Sequence, residues 1–165
     1  MTTMPPRRPT PADIELLAFA QQAELAARDL FAAAADNGVG GEHTASVACI
    51  AAHHDAASQA ISALIGRSAP QARLDSLFVA SRNAFLNDDS FATSAWKLEN
   101  TMVATHLSLL SALDGTEGSA LVASIVSAEA RHAAALAVIA GLSPVSDADA
   151  FLTTPADIVA LTPEA

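Results

Sequence analysis

Apolar residues recur at three- and four-residue spacing through most of the chain, the period of one face of an α-helix. Thr10, Pro11 and Asp13 are start signals: a side-chain cap, a proline at the first helical position, and an acid near the positive end of the helix dipole. The pattern predicts a helix from there to about residue 37, where Gly38, Gly40 and Gly41 stop it. A second apolar period covers residues 43–65 and closes on Gly66. The link is short, so these two helices are expected to be antiparallel neighbours. From 66 to 88 the pattern is mixed, with a break at Pro70, a short helical piece over 74–85, and the turn-like Asn87-Asp88-Asp89-Ser90. Such a length suits a crossover spanning a bundle, which leaves the second and third long helices parallel. The third covers 90–113 and the turn Asp114-Gly115-Thr116 follows; the fourth covers 117–140, before Gly141 and Pro144. The expectation is an all-α protein: a flexible leader over 1–10, a four-helix bundle over 11–142 with one long crossover containing a short helix, and a Pro/Asp-rich tail over 143–165.

Composition supports the helical reading and narrows the partners. Ala, the residue of best helix propensity, is about a quarter of the chain. Aromatics are 4% and Tyr is absent, which disfavours an all-β fold. Hydrophobic residues at 52% and charged ones at 16% are too apolar for a disordered chain, and polar interruptions argue against a membrane span. Eight basic residues against 18 acidic ones give a net charge of −10, which repels phosphate backbones and anionic leaflets, so neither nucleic acid nor a membrane is expected as a partner. The single Cys49 excludes an intramolecular disulfide framework and suits a reducing compartment; it reads as a small buried helix residue. Arg7 and Arg8 are followed by Pro9, Thr10, Pro11 and Asp13, not by the apolar stretch an export signal needs, so a cytoplasmic location is expected.

Chemistry enters when each helix is turned at about 100° per residue and its polar side chains are placed against the apolar arc. In the fourth helix Leu121, Val122, Ile125, Leu136 and Ile139 form the arc, and Glu129 and His132 occupy its centre. In the third, Glu99 and His106 lie among Ala92, Ala95, Met102, Val103, Leu110 and Leu113. Glu24 falls among Leu17, Ala20, Ala27 and Phe31 of the first helix, with Arg28 at the edge of that arc. In the second, Val47, Ile50, Ile61 and Ile65 put His54 at the centre and Ser58 near it; Asp55 lies toward one margin and His53 faces away. Three helices thus aim a carboxylate inward, which is costly unless something compensates. A divalent metal does so directly, because carboxylate oxygen and imidazole nitrogen suit such ions together. Dinuclear iron or manganese bundles use one Glu from each of two helices and Glu-x-x-His from each of the other two.

With these residues in place, the chain resembles the ferritin-like superfamily, in particular bacterial ferritin-like domain proteins with a pattern of the form Glu, His-Glu-x-x-His, Glu and Glu-x-Arg-His. The likeness covers about residues 12–142. It is most specific at Ser127-Ala-Glu-Ala-Arg-His-Ala-Ala-Ala-Leu136, and less so at Glu24 and Leu98-Glu99. The resemblance implies ligand positions at Glu24, Glu99, Glu129 and His132 and an iron or manganese cofactor. The second helix departs from the pattern: His54-Asp55-Ala56-Ala57-Ser58 shortens the Glu by a methylene and replaces the second His by Ser. Two turns after the third-helix Glu, a position often Tyr in relatives, stands His106. The candidate metal set is therefore Glu24, His54, Asp55, Glu99, His106, Glu129 and His132, and one ion, an asymmetric pair, or none remain open.

Two functions follow as expectations. A dinuclear centre activates dioxygen or peroxide, although the altered second helix argues against full activity; whether the protein is an enzyme stays open. The alternative is a metal-free structural or interaction module with a relic site, in which Arg28, His54, His106 and His132 neutralise the three glutamates. Ala-rich faces, and Phe19 on the outer side of the first helix, point to a homo-oligomer, a dimer. Trp96 and Met102 read as core packing. No nucleophilic triad, phosphate-binding glycine loop or dinucleotide fingerprint is present in the sequence.

Overall fold

A computed structural model describes residue 4, residues 6–152, residue 155 and residues 157–163. The remaining residues, including 1–3 and 5 of the expected leader, lie outside the described residues. Four long helices form: α1 (Pro11–Asp36), α2 (Thr44–Ile65), α4 (Asp88–Ala112) and α5 (Thr116–Ile139), with the shorter α3 (Asp75–Phe85) inside the crossover. Among the described residues there is no strand.

Local signals account for the helix ends. Thr10 and Asp13 make a reciprocal capping box at the start of α1. Asn87 accepts from the amides of Asp89 and Ser90, so the segment expected as a turn is the cap and first turn of α4. Gly40, at φ +94°, turns the chain between α1 and α2 where a Cβ would come within 3.1 Å of Val47.

The core falls into two apolar clusters. One gathers Ala27, Leu30 and Phe31 of α1, Val47 and Ile50 of α2, Phe91 and Leu98 of α4, and Leu136 of α5. The other gathers Leu17 and Ala20, Ile61 and Ile65, Leu109, and Val122 and Ile125. The C-terminal part of α1 thus meets the N-terminal parts of α2 and α4, and the second cluster joins the C-terminal ends of α2 and α4. So α2 and α4 run parallel, as the crossover requires. Phe85, the one buried residue of α3, meets Phe31 and Phe91 edge-on. Phe19 is buried in the second cluster, contrary to the outward position expected; α3 and the crossover pack on α1 and enclose more of its circumference than four helices alone do. Cys49 is exposed, also contrary to expectation, because it lies on the side of α2 turned away from α1. By length and composition α5 is apolar enough to cross a membrane; here its inner face is packed in the bundle.

Both chain ends are docked where they are described. The carbonyls of Pro6 and Arg7 accept from the amides of Thr116 and Glu117, and the Arg7 side chain pairs with Glu117 at 2.9 Å. The tail returns along α4: Trp96 Nε1 donates to the Ala150 carbonyl at 3.1 Å, and the Leu161 amide donates to Thr105 Oγ1 at 2.8 Å. Asp13 ties the two helical hairpins together. Its carboxylate accepts from the amides of Thr10, Asp114 and Gly115 at 2.8, 2.9 and 2.9 Å. Gly115 allows this approach, since a Cβ there would stand 2.8 Å from the Arg8 carbonyl oxygen. Burial works against the Asp13 carboxylate, yet these backbone donors hold it below the usual carboxylate range. Asp13→Ala, which strands three amides, is expected to lower unfolding free energy by about 2 kcal/mol or more with helix content unchanged. Denaturant unfolding followed by circular dichroism measures it.

Candidate functional site

Between the two apolar clusters lies a polar layer. Helix α1 supplies Glu24, α2 His54, α4 Glu99 and His106 two turns apart on one face, and α5 Glu129 and His132. None of the six is more than 8% exposed. His54 lies at the middle of the layer, its ring stacked on Phe31 at 5.5 Å. It donates from Nδ1 to Glu24 Oε2 at 2.8 Å and from Nε2 to Glu99 Oε1 at 2.9 Å. His106 donates from Nδ1 to both oxygens of Glu129, at 2.9 and 3.0 Å, and its Nε2 faces Glu24 Oε1 at 3.6 Å. His132 Nδ1 stands 3.4 Å from Glu99 Oε1.

Four buried side-chain atoms among the described residues lack a hydrogen-bond partner: Glu24 Oε1, Glu99 Oε2, His106 Nε2 and His132 Nδ1. All belong to this layer. Such orphans are costly in a low-dielectric interior. Two groups bring one ligand atom from each member within 4.8 Å of the others: His54, Glu99 and His132, and Glu24, His54 and Glu129. Carboxylate oxygen with imidazole nitrogen is a donor set that fits a divalent first-row ion.

The electrostatics follow from burial and mutual charge. Burial alone would push His54 down, but Glu99 and Glu24 outweigh it and hold the imidazole well above the usual histidine range. His106 is likewise raised, against its burial, to about 9 by Glu129 and Glu24. Burial would raise Glu99, yet His54 and His132 bring it down to about 2. Glu129 goes the other way: burial lifts it to about 7 despite His106, with Glu24 and Glu99 adding to the rise.

Three sequence expectations change. Asp55 does not join the layer. It is half-exposed, 3.2 Å from the guanidinium of Arg28, and also takes Gln59. Arg28 accordingly neutralises Asp29 and Asp55 rather than any glutamate of the layer. Ser58 is buried but donates to the Asp55 carbonyl of its own helix at 2.8 Å. The residue sequence reasoning missed is His53. Its Nδ1 lies 2.8 Å from His132 Nε2, the two rings stack at 5.0 Å, and its Nε2 is 3.6 Å from Cys49 Sγ. Burial, then the neighbouring His132, His54 and Arg131, hold His53 below the usual histidine value. A cleft of about 270 Å³ opens between α2 and α5 beside these residues, walled by Ala57, Ala60, Leu121 and Ile125, with His53, His54, Glu129, Arg131 and His132 on its lining. A larger groove of about 590 Å³, around Trp96, Asp147 and Asp149, contains no part of the layer.

Residues 12–142 match the protein family described as ferritin-like domain. No curated protein and no solved structure matches the chain.

The signs of these shifts set the pH profile of the metal-free protein. His54 and His106, raised in the fold, contribute stability that is present below the ordinary histidine range and lost as pH rises, for His106 through about 9. Glu129, raised to about 7, contributes stability present below the ordinary carboxylate range and lost as pH rises through about 7. Glu99, lowered to about 2, contributes stability present above the ordinary carboxylate range and lost as pH falls toward 2. Thermal unfolding of chelator-treated protein is therefore expected to show its highest midpoint near pH 5–6 and a lower one at pH 9.

Proposed function

The chain belongs to the ferritin-like domain family, and on that footing we propose that it binds a transition-metal ion, iron or manganese, in the polar layer of its bundle. The observation that carries this reading is the set of four orphaned buried atoms, all on Glu24, Glu99, His106 and His132. An ion in the layer gives orphaned atoms such as Glu99 Oε2 and His132 Nδ1 a partner and offsets part of the cost of burying three carboxylates. Iron or manganese held there supplies one-electron redox chemistry with coordination positions free for an exogenous ligand. The protein's own contribution is the dry setting. Phe31 covers one side of His54, the apolar clusters exclude water above and below, and the α2–α5 cleft leaves one approach from solvent.

One observation favours a second reading, a metal-free bundle that keeps a relic site. His54 spans Glu24 and Glu99 with both ring nitrogens, so a protonated imidazole already supplies positive charge at the centre of the layer. The two readings separate on metal content. Under the metal reading, protein purified without added metal contains iron or manganese, and anaerobic ferrous or manganous addition to the chelated protein raises its melting midpoint. The Glu129→Ala/His132→Ala double variant loses both effects. Elemental analysis that finds neither metal, together with a midpoint unmoved by either ion, leaves the metal-free module.

A further inference from the structure

We propose, resting on the metal-binding reading above, that the layer holds one ion per chain rather than two. Its ligands are His54 Nε2, Glu99 and His132 Nδ1, and Glu24 and His53 act as the positioning residues that orient the two imidazoles.

Two of the three ligand pairs stand near the spacing of atoms that share an ion, and all three atoms lie within 4.8 Å of one another. Ligands about 2.1 Å from a common centre lie roughly 3.0–3.4 Å apart at angles between square and tetrahedral. His54 Nε2 is 2.9 Å and His132 Nδ1 is 3.4 Å from Glu99 Oε1. Each imidazole is also held from behind. His54 gives its Nδ1 proton to Glu24 at 2.8 Å, which turns Nε2 toward Glu99; the proton now on Nε2 is the one an ion displaces. His132 points Nε2 at His53 Nδ1, 2.8 Å away, and turns inward an Nδ1 that has no hydrogen-bond partner. An outer group on the far nitrogen is the usual way a protein fixes the tautomer and ring plane of a metal-binding histidine. Two histidines and one carboxylate leave part of the coordination sphere of a first-row ion unfilled.

The other side of the layer lacks a full donor set for a second ion: its two orphaned atoms, Glu24 Oε1 and His106 Nε2, face each other at 3.6 Å as a long carboxylate–imidazole pair. The other candidate group, Glu24, His54 and Glu129, needs the same His54. Both oxygens of Glu129 are engaged by His106 Nδ1 at 2.9 and 3.0 Å, a hydrogen-bonded pair an ion would have to break. Helix α2 offers no further ligand, because Asp55 is spent on Arg28 and Ser58 on its own backbone.

The test is titration of the chelated full-length protein with manganous ion alone, and in parallel with ferrous ion under anaerobic conditions. Equilibrium dialysis gives stoichiometry and electron paramagnetic resonance of bound Mn(II) gives coupling. One ion per chain with an uncoupled single-ion spectrum is expected. Glu129→Gln keeps that stoichiometry, whereas His132→Ala abolishes binding in a chain that circular dichroism shows to be folded. His53→Ala, on the surface side of the layer, weakens affinity about 10–100-fold, and His53→Asn, whose side-chain oxygen can accept from His132, restores most of it. Two ions per chain, an exchange-coupled spectrum, or loss of an ion in Glu129→Gln overturns this proposal alone. Unchanged affinity in His53→Ala removes the role given to His53. No bound ion in the wild type overturns the metal-binding reading and this inference together.

Discussion

The structure depends on placing three carboxylates in the middle of a helical bundle without water. A single buried carboxylate left unpaired costs several kcal/mol even after relaxation, and pairing offsets this only when the geometry is good. Each of the three meets a histidine from another helix: Glu24 and Glu99 meet His54, and Glu129 meets His106. Every such pair crosses between helices. The relative height and rotation of α1, α2, α4 and α5 are therefore specified by polar contacts at one level, more tightly than apolar packing alone specifies them.

The layer also explains how the rest of the core is arranged. It divides the apolar interior into two clusters, each of which must exclude water from one side of the polar groups. Alanines at buried positions of α1, such as Ala20, Ala23, Ala26 and Ala27, let the neighbouring backbones approach closely. Helices α2 and α5 touch each other far less than α1 touches α2 or α4 touches α5, and the cleft lies in that gap. A tightly closed bundle would have bound the same groups out of reach of solvent.

Much of this was legible from periodicity. Glu24, His54, Glu99, His106, Glu129 and His132 stand inside apolar arcs, and a helix wheel finds any polar residue so placed. The helix boundaries were legible for the same reason, since Thr10, Gly66 and Gly115 carry local signals. What a wheel does not contain is the distance between helices and the reach of a side chain. His53 points about 100° away from His54 on the same helix, yet the gap between α2 and α5 leaves room for the His132 ring to stack on it. Asp55 sat at the margin of its arc, and Arg28, a residue of another helix, decided its position. Phe19 seemed outward because four helices were counted, while the crossover covers a face that a wheel leaves open. Cys49 shows the converse: a small apolar residue on an Ala-rich helix carries no signal for which side it takes.

The Asp13 carboxylate gives the molecule a fixed origin. From it α1 climbs eleven residues to Glu24, and from the neighbouring Gly115 α5 climbs fourteen to Glu129. Adding or deleting one residue in either stretch would rotate everything beyond it by about 100° and carry the glutamate out of the layer. The crossover between α2 and α4 is pinned to α1 in turn, the Leu74 amide donating to the Gln22 carbonyl at 2.9 Å and the Gln71 amide to Gln21 Oε1 at 3.1 Å. The residue count of these two climbs, not the apolar packing around them, sets the height at which the bundle carries its buried charge.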